Sequence, residues 1–365
     1  MKKRENGLDL LKVIAAFNIV LVHTFASFLS AVTSGIREGT ITHGPVAALS
    51  AAVRICMAHF GGAVPMFFMA SGAFILASAK TADVKSFYHK TWKKLGIPTI
   101  IFTLIYMFLT PMYYLVAKGY GEYGYLKIFI YNLRSVVTGV PAEHMWYMFV
   151  LITLYLMAPF VVMSRERIGE KAFAKAALVL FIWGTVDMLL IEPKFWWSLG
   201  AAIDFLGIYA MGYVLHRRYE GQKNNLKGAA FILLGELLVL CVCLLYYKGY
   251  MFGEIPEFLT NVLGKPQPFN PLLTVSAGLF FTGFGLLDIK KDFGTLSGLT
   301  YYTYLVHPVF IMVINAVLTK TLGLPESTYG KLGGIGFALA ETAVIYVLSM
   351  FTAFVINKAG EAKKK

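Results

Sequence analysis

Apolar runs of membrane-crossing length recur from one end of this chain to the other. No other feature limits so strongly what the chain can fold into. A helix that crosses a hydrocarbon core of ~30 Å needs about 20 predominantly apolar residues. Runs that meet this requirement fall at 7–31, 50–79, 95–117, 144–163, 172–191, 197–215, 228–247, 271–287, 299–319 and 332–357. Hydrocarbon offers no hydrogen bonds, so each run must satisfy its own backbone groups, which leaves the helix. The expectation is an all-α, polytopic integral membrane protein with about ten transmembrane helices, forming a single membrane-embedded domain over residues 1–365. Composition agrees, with 58% hydrophobic and only 15% charged residues, where soluble proteins carry about a quarter charged residues.

The net charge of +13 would suggest nucleic acid in a soluble protein. In a membrane protein, basic residues instead collect in cytoplasmic loops. Lys2, Lys3 and Arg4, the lysines of 80–94, the basic residues of 164–175 and 216–227, Lys290 and Lys291, and the lysine tail all fall on one side of the predicted topology. The other side is poor in Lys and Arg, so both termini are expected to be cytoplasmic. The first run has no small-residue cleavage site and is expected to remain as an anchor. The segment 118–143 mixes aromatic and basic residues, as an interfacial helix does, and the proline-rich segment 248–270 is expected to cap the outer face. Cys56, Cys241 and Cys243 lack metal-ligand spacing, so neither a disulfide framework nor a metal site is expected. No dinucleotide fingerprint, phosphate loop or HExxH motif is present, and nothing supports nucleic-acid binding.

Ionisable residues inside the runs are the functional candidates. The first run, DLLKVIAAFNIVLVHTF, holds Lys12 and His23, with Asn18 and Asp9 on the same helix. Lys12 and His23 are separated by about three helical turns, so they share a face, and the histidine lies about 16 Å farther along the axis. Asp9, one turn from Lys12, is placed as its ion-pair partner. Lys12 could snorkel to the headgroups or supply fixed positive charge for an anionic substrate. His23 is too deep to reach water, which favours a polar cavity. Its imidazole can take a proton from a hydroxyl and return it to a leaving group near neutral pH.

Other candidates follow the same logic. Arg54 and His59 sit in the second run. Arg54 reads as an interfacial anchor or a functional charge, and Ser71–Gly72 as a place of close helix approach. Lys90, Lys93 and Lys94 stand at i, i+3 and i+4, on one side of a helix about to enter the membrane. They could clamp phosphates, although positive-inside charge is the simpler account. Glu143, His144 and Trp146 mark the outer end of the fourth run, where tryptophan serves as a belt residue. Asp187, Asp204, Glu236 and Glu341 also interrupt runs and could pair with Arg54. In LTYYTYLVHPVF, Pro308 follows His307 and should kink the helix and free a carbonyl.

Together these stretches resemble the acyltransferase-3 family of membrane O-acyltransferases, which modify bacterial cell-surface glycans. LDLLKVIAAFNIVLVHTF is similar to that family's first helix, in which a basic residue precedes a histidine with ten residues between; here lysine stands where arginine is usual. PMFFMASGAF resembles its FF-x-x-SG signature. FYHKTWKKLGIP resembles its RxxR loop, with Lys90 and Lys93 in place of the arginines. HMWYM and YLVHP resemble its tryptophan and tyrosine-histidine signatures. Lysine keeps the charge of arginine without the planar bidentate fork.

The resemblance implies a division of labour. Acyl-CoA, acetyl-CoA foremost, would come from the cytoplasm, with Lys90, Lys93 and Lys94 on its phosphates. Lys12 would lie near the inner mouth of the cavity, and His23 would be general base or acyl relay. His144, Trp146, Tyr304 and His307 would meet the acceptor, a glycan or lipid-linked glycan. The protein would be multi-pass in a bacterial plasma membrane, surrounded by lipid. The competing reading is a transporter or flippase for a lipid-linked sugar or organic anion. Discontinuous helices and a two-fold repeat would favour it, and neither is visible in the sequence.

Overall fold

A computed structural model describes residues 5–37, 45–116, 124–137, 143–190, 199–251, 253–267, 270–320 and 333–362. Among these residues there is no strand. The helices are α1 (Asn6–Arg37), α2 (Pro45–Leu76), α3 (Val84–Thr91), α4 (Ile97–Val116), α5 (Gly124–Val137), α6 (Trp146–Ile168), α7 (Glu170–Leu190), α8 (Leu199–Tyr219), α9 (Asn225–Tyr246), the single turn α10 (Glu257–Leu259), α11 (Pro271–Leu286), α12 (Gly294–Lys320) and α13 (Gly333–Ala362).

Each expected apolar run falls on one of these helices. Six described stretches are long and apolar enough to cross a membrane: Asn6–Phe25, Val84–Val116, Trp146–Ile168, Asn225–Gly249, Gly294–Leu318 and Gly336–Ala362. Gly62–Leu76 and Pro271–Leu286 are apolar but shorter. Outward faces are apolar too: Ile101, Leu104 and Phe108 on α4, Leu233 and Leu237 on α9, and Val347 and Phe351 on α13 are all exposed. Apolar faces this extensive would be a liability in water and suit hydrocarbon.

Local chemistry sets the ends of the helices. Asp83, Asn224 and Asn270 cap α3, α9 and α11 by accepting backbone N–H groups, and Pro271 opens α11 without losing a hydrogen bond. Asn270 also donates to the carbonyls of Leu263 (2.8 Å) and Lys265 (2.9 Å), tying the preceding segment to this helix start. Gly169, at φ +81°, stops α6 one residue before α7 begins. Within the segment 118–143, where a helix was expected, α5 packs on α4, and its Asn132 donates to the Tyr106 carbonyl (3.3 Å).

The chain groups into two compact units, one of residues 1–64 and 223–365, the other of 65–222. In the first, α9 and α11 run antiparallel. Gly228 lies against the Gly283 carbonyl, and Ser276 donates to the Gly235 carbonyl (3.2 Å). The start of α1 sits on the end of α11, with Gly7 against the Phe284 carbonyl and Asn6 donating to Ile289 (3.0 Å). Helices α12 and α13 flank α1, joined to it through Ser297–Asp9 (2.6 Å), Thr24–Thr342 (2.5 Å) and Tyr346 to the Val13 carbonyl (3.2 Å). Polar contacts of this kind hold membrane helices together where apolar burial cannot drive association.

In the second unit, the end of α2 crosses α8 with Gly72 against the Tyr209 carbonyl and Gly212 against that of Met69. Ser71–Gly72 therefore marks close helix approach, as its small residues suggested. Gly184 and Gly207 bring α7 onto α8 in the same way. The last carbonyls of α2 take side-chain donors: Thr81 bonds Ile75 (2.7 Å), and Arg165 bonds Leu76. Arg165 also lies over the Tyr213 ring (4.8 Å to the centroid) and within ion-pair range of Glu166 and Glu170. A cation at a helix C-terminus faces the negative end of the macrodipole.

Candidate active site

In the first unit, α1 carries Lys12 and His23 and α12 carries Tyr304 and His307. At the start of α1, Asp9 is 6% exposed. It accepts Lys12 Nζ at 2.9 Å and the Ser297 hydroxyl at 2.6 Å. The pair expected from one-turn spacing therefore exists, and Ser297 anchors it across to α12. About 16 Å farther along the same helix, His23 Nδ1 lies 3.0 Å from Nε2 of His307 on α12. The two rings are inclined by only 20°, with centroids 5.1 Å apart. That separation is close to the N···N distance plus two ring radii, so the rings meet edge to edge, as an N–H···N bond requires.

His307 is completely enclosed, and its Nδ1 lies 2.7 Å from the Tyr304 carbonyl. Helix α12 continues through Pro308 from Gly294 to Lys320. Proline has no N–H for the carbonyl four residues earlier, which is that of Tyr304. The carbonyl that the sequence predicts to be freed is therefore the one that His307 engages. The two ring nitrogens of His307, one of the residues expected at the acceptor, face His23 and its own helix. The Tyr304 side chain is buried, with its ring 5.9 Å from that of His307.

A second histidine pair belongs to the same unit. His59 Nε2 contacts both carboxylate oxygens of Glu236, at 2.9 and 3.2 Å, and its ring stacks on Phe280. Glu341, on α13, is buried. The side chains of Arg54 and Glu143 lie outside the described residues.

The remaining candidates belong to the second unit. Lys90, Lys93 and Lys94 are all exposed. Lys90 lies in the last turn of α3, but Trp92–Gly96 forms a π turn that contains the other two. The one-sided α-helical spacing expected for the three is thus altered, because a π turn takes more residues per revolution. Its location fits the bulk of Trp92, whose ring covers Gly96 and comes within 2.4 Å of where a Cβ would stand. His144 is buried edge-on to Tyr106, with centroids 4.7 Å apart. Trp146 lies beside Phe205 at 5.6 Å. Asp204, buried on α8, shares a side-chain hydrogen bond with Asp187 on α7.

A comparison with protein families decides what this assembly is. The model of the acyltransferase-3 family, described as an acyltransferase domain, matches residues 5–358. The chain belongs to the acyltransferase-3 family. No curated protein and no solved structure matches it. With its repeated apolar helices, it is a multi-pass membrane acyltransferase of the kind that transfers groups other than amino-acyl groups.

Sequence reasoning did not find Ser297 as a partner of Asp9, or Glu236 as a partner of His59. Ser297 stands alone between a glycine and a leucine, with no local signal of its role. Glu236 was visible as a charge within an apolar run, and its partner lies 177 positions away. The association of His23 with His307 was also not read from the sequence, although each was singled out. The His-Pro order could have signalled it, since it places a ring donor one turn from the carbonyl that proline leaves.

Proposed function

We propose that this acyltransferase moves an acyl group, acetyl foremost, from acyl-CoA to a hydroxyl of a cell-surface or lipid-linked glycan, with His23 as the general base. The observation that carries the reading is the imidazole of His23, held on a membrane-length helix by a second, enclosed histidine. In the proposed step, His23 takes the proton of the acceptor hydroxyl as its oxygen attacks the thioester carbonyl. The C–S bond then breaks and the thiolate leaves with the proton that His23 returns.

Lys12, held by Asp9, is a fixed cation one end of the helix away, suited to an anionic portion of the donor. Lys90, Lys93 and Lys94 are suited to the CoA phosphates, as mobile point charges rather than bidentate forks. His144 and Trp146 offer a ring nitrogen and an indole to the acceptor. Basic loops and tail support a topology with both termini cytoplasmic, in a bacterial plasma membrane.

The test is release of free CoA by purified full-length protein in detergent, with acetyl-CoA and succinyl-CoA as donors. It is run with and without a crude cell-envelope glycan fraction, wild type beside His23→Ala. Glycan-dependent release that disappears in the variant is the expected result. Folded wild type that releases no CoA from either donor overturns the reading in favour of transport, and a fully active His23→Ala removes the base.

A further inference from the structure

We infer that a cleft beside the end of α9 holds a neutral sugar of the acceptor, with Glu257 and Asn261 bonding its hydroxyls. The assignment rests on the reading of the chain as a glycan acyltransferase with His23 as its base. It gives the acceptor a binding site within the first unit, built from the proline-rich segment 248–270.

At that segment two short π turns, Tyr247–Met251 and Thr260–Gly264, pack on each other. Turns of this kind recur at functional sites. Here they border a cleft of about 640 Å³, a volume within the range of small-molecule sites, about 300–1,000 Å³. Backbone contacts hold its walls. Gly249 meets Thr260, whose hydroxyl stands where a Cβ of Gly249 would be. Thr260 in turn donates to the Pro256 carbonyl (3.3 Å). The chain reverses at Gly253, at φ +66°. The N–H of Gly253 donates to the Gly249 carbonyl (3.0 Å), and that of Glu254 to the Lys248 carbonyl (3.0 Å). An ion pair of 3.3 Å joins Lys248 and Glu254 across the same turn. A cleft fixed in this way exists before a ligand arrives, so binding loses less ordering entropy.

The lining is chemically selective. Glu257 and Asn261 stand four residues apart, and both face the cleft with exposed side chains. A carboxylate only accepts hydrogen bonds, and an amide both donates and accepts. Together they complement the hydroxyls of a sugar ring. Ile255 and Pro256 add an apolar patch to the lining, suited to the ring's C–H face. Glu254 is already answered by Lys248, so the carboxylate of Glu257 sets the charge of the cleft. Uronic or phosphorylated sugars would be repelled by it, and neutral ones would not.

Its position suits an acceptor. Gly7 of α1 and Gly228 of α9 lie at one level, against Phe284 and Gly283 of α11. From that level His23 is about 24 Å along α1, and Gly249 about 31 Å along α9 and its π turn. That π turn packs on α1 itself, so the two helices run in the same direction. The cleft is therefore about 7 Å beyond His23, on the side away from Lys12. A sugar held there would be a neighbour of the one acylated. Glu257 and Asn261 are thus binding residues that place the acceptor, not groups that touch the reacting atoms.

The test measures glycan binding without a donor, on full-length protein in lipid nanodiscs. Cell-envelope glycans are separated into neutral, acidic and lipid-linked neutral pools, labelled with a fluorophore and titrated one by one. Wild type should bind neutral sugars more tightly than acidic ones, and the two neutral pools tell which source is preferred. In Glu257→Ala/Asn261→Ala, affinity for the neutral glycan should weaken by roughly 10- to 100-fold, as loss of a hydrogen bond to a charged group implies. KM for glycan in CoA release should rise by the same factor, with kcat at saturating glycan preserved. Glu257→Gln, which keeps an acceptor oxygen, should lose less. Glu361→Gln removes an exposed carboxylate from the end of α13 and should lose nothing.

A double variant with the wild-type melting midpoint and wild-type glycan affinity overturns the assignment. So does a wild type that binds no glycan, or that binds the acidic pool as tightly as the neutral one. Both side chains are exposed, and if the double variant does not fold, each single alanine variant carries the same test. Failure of the acyltransferase reading looks different: neither donor releases CoA, while glycan binding still depends on Glu257.

Discussion

Replacing Gly72 by alanine tests whether backbone contact, rather than side-chain packing, holds α2 to α8. A Cβ at Gly72 would stand 1.8 Å from the Tyr209 carbonyl oxygen and 2.7 Å from its carbon. Ordinary contact begins at 3.4 Å, so the helices must part by about 1.6 Å, the difference between those two distances. The obstruction is backbone, and no rotamer relieves it. The opposing contact is just as tight, with Gly212 2.0 Å from the Met69 oxygen by the same measure. Around this crossing Phe68, Phe205 and Tyr209 are fully buried. A radial gap of even ~1 Å forfeits up to about half of each dispersion contact.

Overpacking of this kind costs ~1–3 kcal/mol, and a rigid obstruction belongs at the upper end. A loss of ~3 kcal/mol corresponds to a melting midpoint roughly 6–12 °C lower on the scale for soluble domains of about 150–250 residues. Gly298→Ala is the control: on α12 its added Cβ meets nothing within 4 Å, and helix propensity alone favours the change. Thermal melting of the two variants and wild type in one detergent, followed by intrinsic fluorescence, reads the difference. If Gly72→Ala melts within a degree of Gly298→Ala, as a rough limit of resolution, close backbone approach does not support this crossing.

The remaining predictions concern charges. Asp9→Ala strips both the 2.9 Å ion pair to Lys12 and the Ser297 bond. It should destabilise by ~2–3 kcal/mol, below the fully buried case because Lys12 is partly exposed. Asp9→Asn, which keeps an acceptor for Ser297, should lose less, and equal melting of the two would refute the argument. Arg165→Gln removes the charged cap on the Leu76 carbonyl and should cost ~1.5–3 kcal/mol, visible as a lower melting midpoint; an unchanged midpoint rejects that cap. Replacing Lys90, Lys93 and Lys94 together by glutamine should raise KM for acyl-CoA by roughly 10-fold at low salt, less at high salt, with kcat preserved. A KM indifferent to both mutation and salt rejects the phosphate assignment.

The helices were legible because an apolar run of this length has one way to satisfy its own backbone. The Asp9–Lys12 pair and the position of His23 along α1 were legible for a related reason: both follow from helical rise and rotation within a single element. The π turn at Trp92–Gly96 was not. Its departure from the α-helical course depends on how Trp92 seats over Gly96, which no residue spacing announces. The partners across elements were hidden for a stronger reason. Helices α7, α8, α9 and α11 spread their apolar residues around the axis, so no amphipathic stripe states which face meets which neighbour.

Sequence alone determined the all-helical membrane architecture, the family signatures and, at His307–Pro308, a carbonyl deprived of its usual donor. Only the tertiary structure decided that His307 faces His23 across 284 positions, that Ser297 secures Asp9, and that His59 takes Glu236. The reason is physical: backbone satisfaction and helical spacing act within one segment, where the chain order is the geometry. Donor–acceptor pairing between segments depends on which glycines let helices approach and at what height they cross.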